Sequence, residues 1–574
     1  MVGQKFMDSI KKIWPFVLGL VLTASLLWPL FAASSFTHHD DVHFIRLYEM
    51  NKCFQDGQIP CRWVPDLGGL YGYPIFNYYA PLPYYFGELV YLFSGSLLFA
   101  VKTMFAVSFL GAFIFMYLLV SKLFGKMGGL ISALFYSFAP YHALDFYVRG
   151  AMGEMWALML FPAVFWAILK LEEKPNLTHL LLLGVFSGFF LISHNLSVMI
   201  FLPVLLIWII LLFWKQRNLK FLWYTSFAFL IGLTLSAFYI LPMIIEKNLV
   251  HVDSTTSGYF SYTEHFKGFK KLFLERTWGY GASVREVPGG ERDGLSYQIG
   301  WLHLLGWLIA IISAKTLWRK NKWLSVVIIS FSFLTLFAIF MVNPRSQAVW
   351  DAIEPLKYLQ FPWRFLVLIT FFIPFMLGSF SLLHFRGKNL LFGSLVLMVV
   401  VLNFSYFRPE KFIQTDDEKL LMGDNWERQI KRSIFDFLPI FAKEPPAELA
   451  ERRYQILTGD SDVFDFTEGT NSISFKTDTR THTIIRLSQY YFPDWKIYVD
   501  GVETKVEYKN NSLGLMTFIL GKGNHEISAR LYDTPIRSFA NLLTLGGFVF
   551  SAVLFLSSFS RVRKWFRYYR ERMS

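Results

Sequence analysis

The sequence predicts a polytopic α-helical membrane protein of about twelve transmembrane helices with a C-terminal extracytoplasmic domain of β-sandwich type. Three observations predict it. The 574-residue chain is 54% hydrophobic and only 17% charged, with mean hydropathy +0.39, too apolar and too charge-poor for a soluble domain. Uncharged stretches of about 20 residues recur, and at 1.5 Å per residue each reaches most of the way across the roughly 30 Å hydrocarbon core. Before the final stretch the texture changes to short alternating runs broken by Gly, Asn and Asp.

The first span covers residues 13–37. Its apolar run is too long for a signal peptide and more spans follow, so it is read as a retained helix. Further spans are expected at 103–121, 127–144, 152–169, 177–193, 196–214, 221–245, 295–314, 323–343, 363–385, 389–407 and 536–560. All must be helical, because lipid offers no partner to a bare N–H or C=O.

Sidedness follows from the cations, which gather in cytoplasmic loops. Lys5, Lys11 and Lys12, the connectors 122–126, 215–220, 315–322 and 386–388, and the 561–572 tail all fall on one face. That holds only if the apolar segment 82–101, which carries Glu88, lies along the bilayer instead of crossing it. The N- and C-termini are then cytoplasmic and the protein sits in the plasma (cytoplasmic) membrane. A transmembrane domain over 1–407 has external loops 34–101, 246–294 and 344–362. An extracytoplasmic domain follows over 408–535, and 536–574 forms the last helix and basic tail. The net charge of +13 reflects this bias and an affinity for the lipid bilayer, and requires no nucleic acid.

In the last external segment, "SISFKT", "HTIIRLS", "WKIYV", "KVEY" and "HEISARLY" alternate as strands do, with turns at "VDGV" and "GKGN". The β-rich part therefore starts near residue 450, after a mixed connector over 408–449. The only two cysteines, Cys53 and Cys61, lie in the first external loop. They either close a short disulfide loop or stand as two thiols.

Candidate chemistry concentrates at outer helix ends. "HHDDVH" at 38–43 puts Asp40 and Asp41 just beyond the first span, where a carboxylate can act as general base or meet a divalent cation. A solvated membrane edge is the plainer reading. His39 and His43 share a helical face, but no closed zinc ligand set accompanies them. "LDFYVRGAMGE" places Asp145, Arg149 and Glu154 between two apolar spans. Charges there are paired or functional: a local clasp, or an arginine that holds phosphate while the acids orient it or bind metal. His194 occupies the next outward turn and is read as a helix-end group or a supporting residue. Arg276, Trp278, Arg285, Arg292, Asp293 and Arg364 mark further outer entrances. Arg364 in "QFPWRFL" suits a lipid-borne phosphate or an interfacial anchor. No nucleotide-binding loop or HExxH motif appears.

"HHDDVHFIR", "QIPCRWVPDLGGLYGYPIFNYYAPLPYYFG", "LDFYVRGAMGE", "TWGYG", "LQFPWRF" and "YYFPDWKIYVDG" together resemble the bacterial YfhO-like membrane proteins, also catalogued as 6-pyruvoyl-tetrahydropterin-synthase-related, over nearly the whole chain. That family looks like the GT-C class of glycosyltransferases. The resemblance implies a GT-C-like transmembrane domain that moves a hexosyl or pentosyl group, with inversion, from a polyprenyl-phosphate sugar to an extracytoplasmic glycopolymer, glycolipid or protein. By position, the first-loop acid matches Asp41 or Asp40, with Asp41 slightly favoured. Arg149 and Arg364 are expected at the donor phosphate, and Asp145, Glu154, His43 and His194 in supporting or metal roles, with Mg²⁺ or Mn²⁺ as the candidate cation. The rivals are a transporter or flippase of lipid-linked saccharides and a non-catalytic envelope scaffold. A transporter favours midplane polar groups and repeated halves, and the sequence shows neither.

Overall fold

The computed structural model describes residues 2–285, 293–431 and 435–573, with side chains described over 13–285, 293–431 and 435–557. Arg292 and the cationic side chains of Lys5, Lys11, Lys12 and the 561–572 tail lie outside the described residues.

Among the described residues eight helices are long and apolar enough to span a membrane, or nine if Leu219–Leu235 and Ala237–Ile245, bent by 75°, make one pass. The protein is thus a multi-pass membrane protein. The expected twelve spans differ from this count for local reasons. Leu177–Leu191 and Trp301–Leu317 have 15 and 17 residues, about 22–26 Å of helix, short of the hydrocarbon thickness. The latter starts late because Gly300, at φ +92°, ends an extended strap that occupies the start of the expected 295–314 span. The expected spans 103–121 and 127–144 fall largely in one element, Leu97–Ser137, broken at Gly125 (φ +79°). A Cβ added to Gly129 would overlap the Ser121 hydroxyl and lie 3.0 Å from the Tyr117 carbonyl oxygen. Twelve residues of straight helix separate such positions by about 18 Å, so the chain turns back at the break.

The helical layer has two chemically different ends. At one, Lys122 pairs with Glu173 at 3.0 Å, Lys215 with Glu172 at 3.1 Å, and Lys388 donates to the Ser381 carbonyl at 2.6 Å. The other end carries the first loop, the strap over 277–285 and the 408–449 connector. Leu82–Ser94, inside the segment expected to lie along the bilayer, is a 13-residue helix of about 20 Å, too short to span, with Leu89, Leu92 and Phe93 exposed.

The chain leaving the first span pairs as β1 (Ser35–Phe36) with β2 (Phe412–Ile413) of the connector. Cys53 and Cys61 are joined in a disulfide with Cα atoms 5.5 Å apart. The β domain holds β3 (Tyr454–Thr458), β4 (Ser461–Glu468), β5 (Ser472–Thr479), β6 (Thr483–Tyr490), β7 (Trp495–Val499), β8 (Val502–Thr504), β9 (Leu515–Leu520) and β10 (Gly523–Leu531). One antiparallel sheet runs β4-β5-β10-β7-β8 and the other β3-β6-β9. They pack through alternating inward residues, and Tyr454 of one stacks against Phe466 and Phe475 of the other. "VDGV" makes the β7–β8 hairpin, with positive φ at Asp500 and Gly501 as a type I′ turn requires. "KVEY" contributes only an isolated bridge, Glu507 to Thr517.

The domain docks on the first loop. Asp66 takes Lys52 at 2.7 Å and Arg453 at 3.3 Å, Arg453 also takes Glu468 at 2.9 Å, and Gln58 donates to the Thr470 hydroxyl at 2.9 Å. Glu49 lies fully buried beside Asp66. Burial, and then the Asp66 charge, push its carboxyl well above the usual range, so it persists as the neutral acid. A second anchor ties the root of the last helix, where Arg537 meets Glu246 at 2.8 Å.

Candidate active site

Residues 38–40 lie along the segment Leu144–Arg149. The His39 N–H donates to the Val148 carbonyl at 3.0 Å and the Asp40 N–H to the Arg149 carbonyl at 2.9 Å. That segment is a π-helical turn, a geometry that concentrates at functional sites. It ends at Gly150, φ +65°, where an added Cβ would be strained and would overlap the His38 ring. Glycine is needed here for both conformation and approach.

Arg149 is the hub of the turn. It donates to Asp145, to Glu154 at 3.0 Å and to the Tyr141 hydroxyl at 3.3 Å, and it stacks 4.7 Å from the Trp363 ring centre. Tyr141 in turn donates to Glu154 at 2.5 Å. The clasp reading of this turn is therefore realised: Asp145 and Glu154 both bond Arg149. The same two oxygen donors face a guanidinium, and among the described residues no group of three or more His, Cys, Asp or Glu is arranged to hold a metal. This donor set does not fit Mg²⁺ or Mn²⁺, hard cations that gather several oxygens at once.

Two other guanidiniums have no carboxylate within ion-pair distance among the described residues. Arg364, 8% exposed, donates to the Leu359 carbonyl at 3.1 Å, rests on the Phe361 ring and leaves its Nε buried without a partner. Arg46, 4% exposed, lies 4.0 Å over the Tyr79 ring and donates to the Tyr84 hydroxyl at 3.3 Å. Asp40 acts electrostatically on Arg46, Arg149 and Arg364 together and is itself exposed. Asp41, the favoured acid in sequence, turns instead toward Arg428 of the connector, 3.7 Å away.

His43 is buried, and burial with the His38 and Arg46 charges keeps its pKa well below the ordinary value, so the ring is neutral. Nε2–H donates to the Gly150 carbonyl at 2.6 Å, which leaves Nδ1 to accept the Tyr84 hydroxyl at 3.0 Å. His43 thereby ties the Asp40 loop to the π-helical turn. His194 caps the Asn195–Gln216 helix through the Ser197 N–H at 3.3 Å, and it packs beside Gly153. The strap crosses above: the His39 ring meets the Tyr280 carbonyl at 2.8 Å, and Trp363 donates to the Ser283 hydroxyl at 3.1 Å. Asp293 is bound elsewhere, by Lys267 and by Tyr297 at 2.9 Å. Arg276 sits over the Trp301 ring. Arg46, Tyr79 and Tyr84 were not singled out in sequence, though "FIR" at one helical turn past the acids was the available signal.

Residues 79–245 match the family model described as dolichyl-phosphate-mannose-protein mannosyltransferase. The match includes Asp145, Arg149, Glu154 and His194 and leaves Asp40, Arg46 and Arg364 outside it. An uncharacterized protein of Lactococcus lactis subsp. cremoris is 23% identical over 254 residues, 42% of this chain and 41% of that protein. Among solved structures, the Archaeoglobus fulgidus oligosaccharyltransferase, tethered by a disulfide to an acceptor peptide containing the NVT sequon, aligns at a TM-score of 0.40. That alignment has 12% identity and covers 71% of this chain and 57% of that one. The chain thus spans less than two thirds of the length of either protein. It is a multi-pass membrane protein, and its 79–245 segment is similar to dolichyl-phosphate-mannose-protein mannosyltransferases.

Proposed function

We propose that the protein is an inverting membrane glycosyltransferase that moves a sugar from a polyprenyl-phosphate donor to an extracytoplasmic glycan, glycolipid or protein. The mannosyltransferase similarity supports the class. The observation that carries the reading is one exposed carboxylate, Asp40, whose charge reaches Arg46 and Arg364, two buried guanidiniums with no carboxylate within ion-pair distance among the described residues.

Asp40 accepts the proton of the acceptor hydroxyl as its oxygen bonds to the anomeric carbon. The bond from that carbon to the phosphate oxygen breaks, and polyprenyl phosphate departs. Arg364 and Arg46 take up the charge that grows on the leaving phosphate in a dry, low-dielectric setting. Arg149, bonded to both Asp145 and Glu154, holds the shape of the turn that carries Asp40. The donor tail stays in lipid, and the site faces the extracytoplasmic side.

Asp40→Asn tests this in the purified full chain. A general base contributes about 10²–10⁴-fold, so sugar transfer drops by that factor while thermal unfolding is unchanged, because the side chain is exposed. Transfer at the wild-type rate overturns the reading. Sidedness is checked with Ser512→Cys, which a membrane-impermeant thiol reagent labels from outside intact cells. Labelling only after lysis reverses the topology.

A further inference from the structure

At the opposite end of the helical layer from Asp40, a groove of about 870 Å³ runs between the Trp301–Leu317 and Lys322–Val342 helices. Its walls are apolar, with Ile311, Ile329, Phe333 and Leu336 exposed along it. Lys315 and Arg319 stand at its mouth. Beside them Trp318 carries the Lys322 ammonium 5.4 Å over its ring. The mouth belongs to the basic end, since Trp323 donates to the Leu211 carbonyl at 2.7 Å, one helical turn from Lys215.

Three other cations of this end are already engaged: Lys122 and Lys215 hold glutamates, and Lys388 caps a carbonyl. Lys315 and Arg319 are exposed and meet no carboxylate among the described residues. On the second helix the groove is lined from Ile328 to Leu336, about 12 Å at 1.5 Å per residue. One leaflet of the roughly 30 Å hydrocarbon core is about 15 Å deep, so this length takes most of one acyl chain, with Lys315 and Arg319 toward the headgroup.

We propose that the groove is a binding site for an anionic phospholipid of the bilayer, its phosphate held by Lys315 and Arg319 and one acyl chain laid against Ile311, Ile329 and Phe333. Charge complementarity selects the occupant. An apolar slot alone takes any lipid tail, whereas two unpaired cations at headgroup depth favour a headgroup with net negative charge. The site rests on the chain's place in a bilayer and is independent of the transfer chemistry at Asp40.

The test is native mass spectrometry of the full chain equilibrated with equal amounts of dioleoyl phosphatidylglycerol and dioleoyl phosphatidylcholine. A basic residue near the surface adds about fivefold to anionic-lipid affinity, so the wild type retains phosphatidylglycerol in clear excess. Lys315→Gln with Arg319→Gln brings the ratio toward one. Arg386→Gln, at the same end but outside the groove, leaves it unchanged. Ile329→Trp fills the slot without altering charge and lowers retention of both lipids, which keeps the test open should the double variant fold poorly. Equal retention by the wild type, an undiminished ratio in the double variant, or an equal loss with Arg386→Gln overturns the proposal.

Discussion

Two charge clusters involve the first external loop, one half-buried and one buried, and they differ in how completely they are closed. Around Asp66, two cations, Lys52 and Arg453, meet Asp66, Glu468 and the neutral acid Glu49, so every charge has its counterpart inside the contact between loop and β domain. Around Arg149 the balance stops short. Asp145 and Glu154 both bond Arg149, whereas the buried guanidiniums of Arg46 and Arg364 have aromatic faces, a hydroxyl and a carbonyl as direct contacts and no carboxylate within ion-pair distance among the described residues. A closed cluster specifies docking. An open one, with an exposed carboxylate at its rim, is what the proposed transfer from an anionic donor requires.

The largest expected effect breaks the open cluster at its one satisfied member. Arg149→Met strands Asp145 and Glu154 in an apolar setting, and removing one partner of a buried pair costs about 3–5 kcal/mol. A drop in thermal stability of that size is expected together with loss of transfer. Unchanged stability would show that the carboxylates find water or protons without the arginine. In the closed cluster, Arg453→Ala leaves Asp66 and Glu468 half-paired near the surface, for about 1–3 kcal/mol. Hydrogen exchange should then rise across β3 and β6 while transfer continues, which separates docking from chemistry. Equal loss of transfer would merge the two clusters into one functional unit.

The sequence exposed these clusters unequally, for a physical reason. Asp145, Arg149 and Glu154 stand out because charge inside apolar sequence is costly. Lys52, Asp66 and Arg453 read as ordinary loop and strand polarity, and their pairing spans almost 400 positions. The same distance hid the difference between Asp40 and Asp41, since the ion pair of Asp41 is with Arg428 of the connector. Arg46 did not stand out because its aromatic cradle, Tyr79 and Tyr84, comes from more than 30 positions further along the chain. Hydropathy located the helices but not their breaks: Gly125 and Gly300 act through positive φ, which no apolar count registers. Strand alternation found β5, β6, β7 and β10. It missed β3 and β4, which are mostly exposed, β8, which has three residues, and β9, where apolar Ile519 sits on the exposed face.

A smaller effect sharpens the contrast by pH. The Glu49 carboxyl is raised by burial and by Asp66, so the folded protein holds a proton that the unfolded chain releases near pH 4.5. Its contribution is fully present below that pH and is lost as pH rises through the folded value. Glu49→Gln keeps the shape without the proton. Stability should therefore fall less steeply toward alkaline pH, with a gain on the order of 1 kcal/mol at the upper end. Parallel pH profiles of wild type and variant would mean that Glu49 is ionised in the fold.

The smallest expected effect decides between the neighbouring aspartates. Asp41 is partly exposed and its link to Arg428, itself half-exposed at 49%, is 3.7 Å long. Exposed pairs of this kind contribute about 0–1 kcal/mol. Asp41→Asn should therefore leave stability within about 1 kcal/mol and transfer within a few-fold, while Asp40→Asn abolishes most of it. If the two substitutions act equally, the carboxylates share the proton and the open cluster extends to the connector. If Asp41→Asn is the more severe, Arg428 belongs to the acceptor side of the site and the base has been assigned one residue too early.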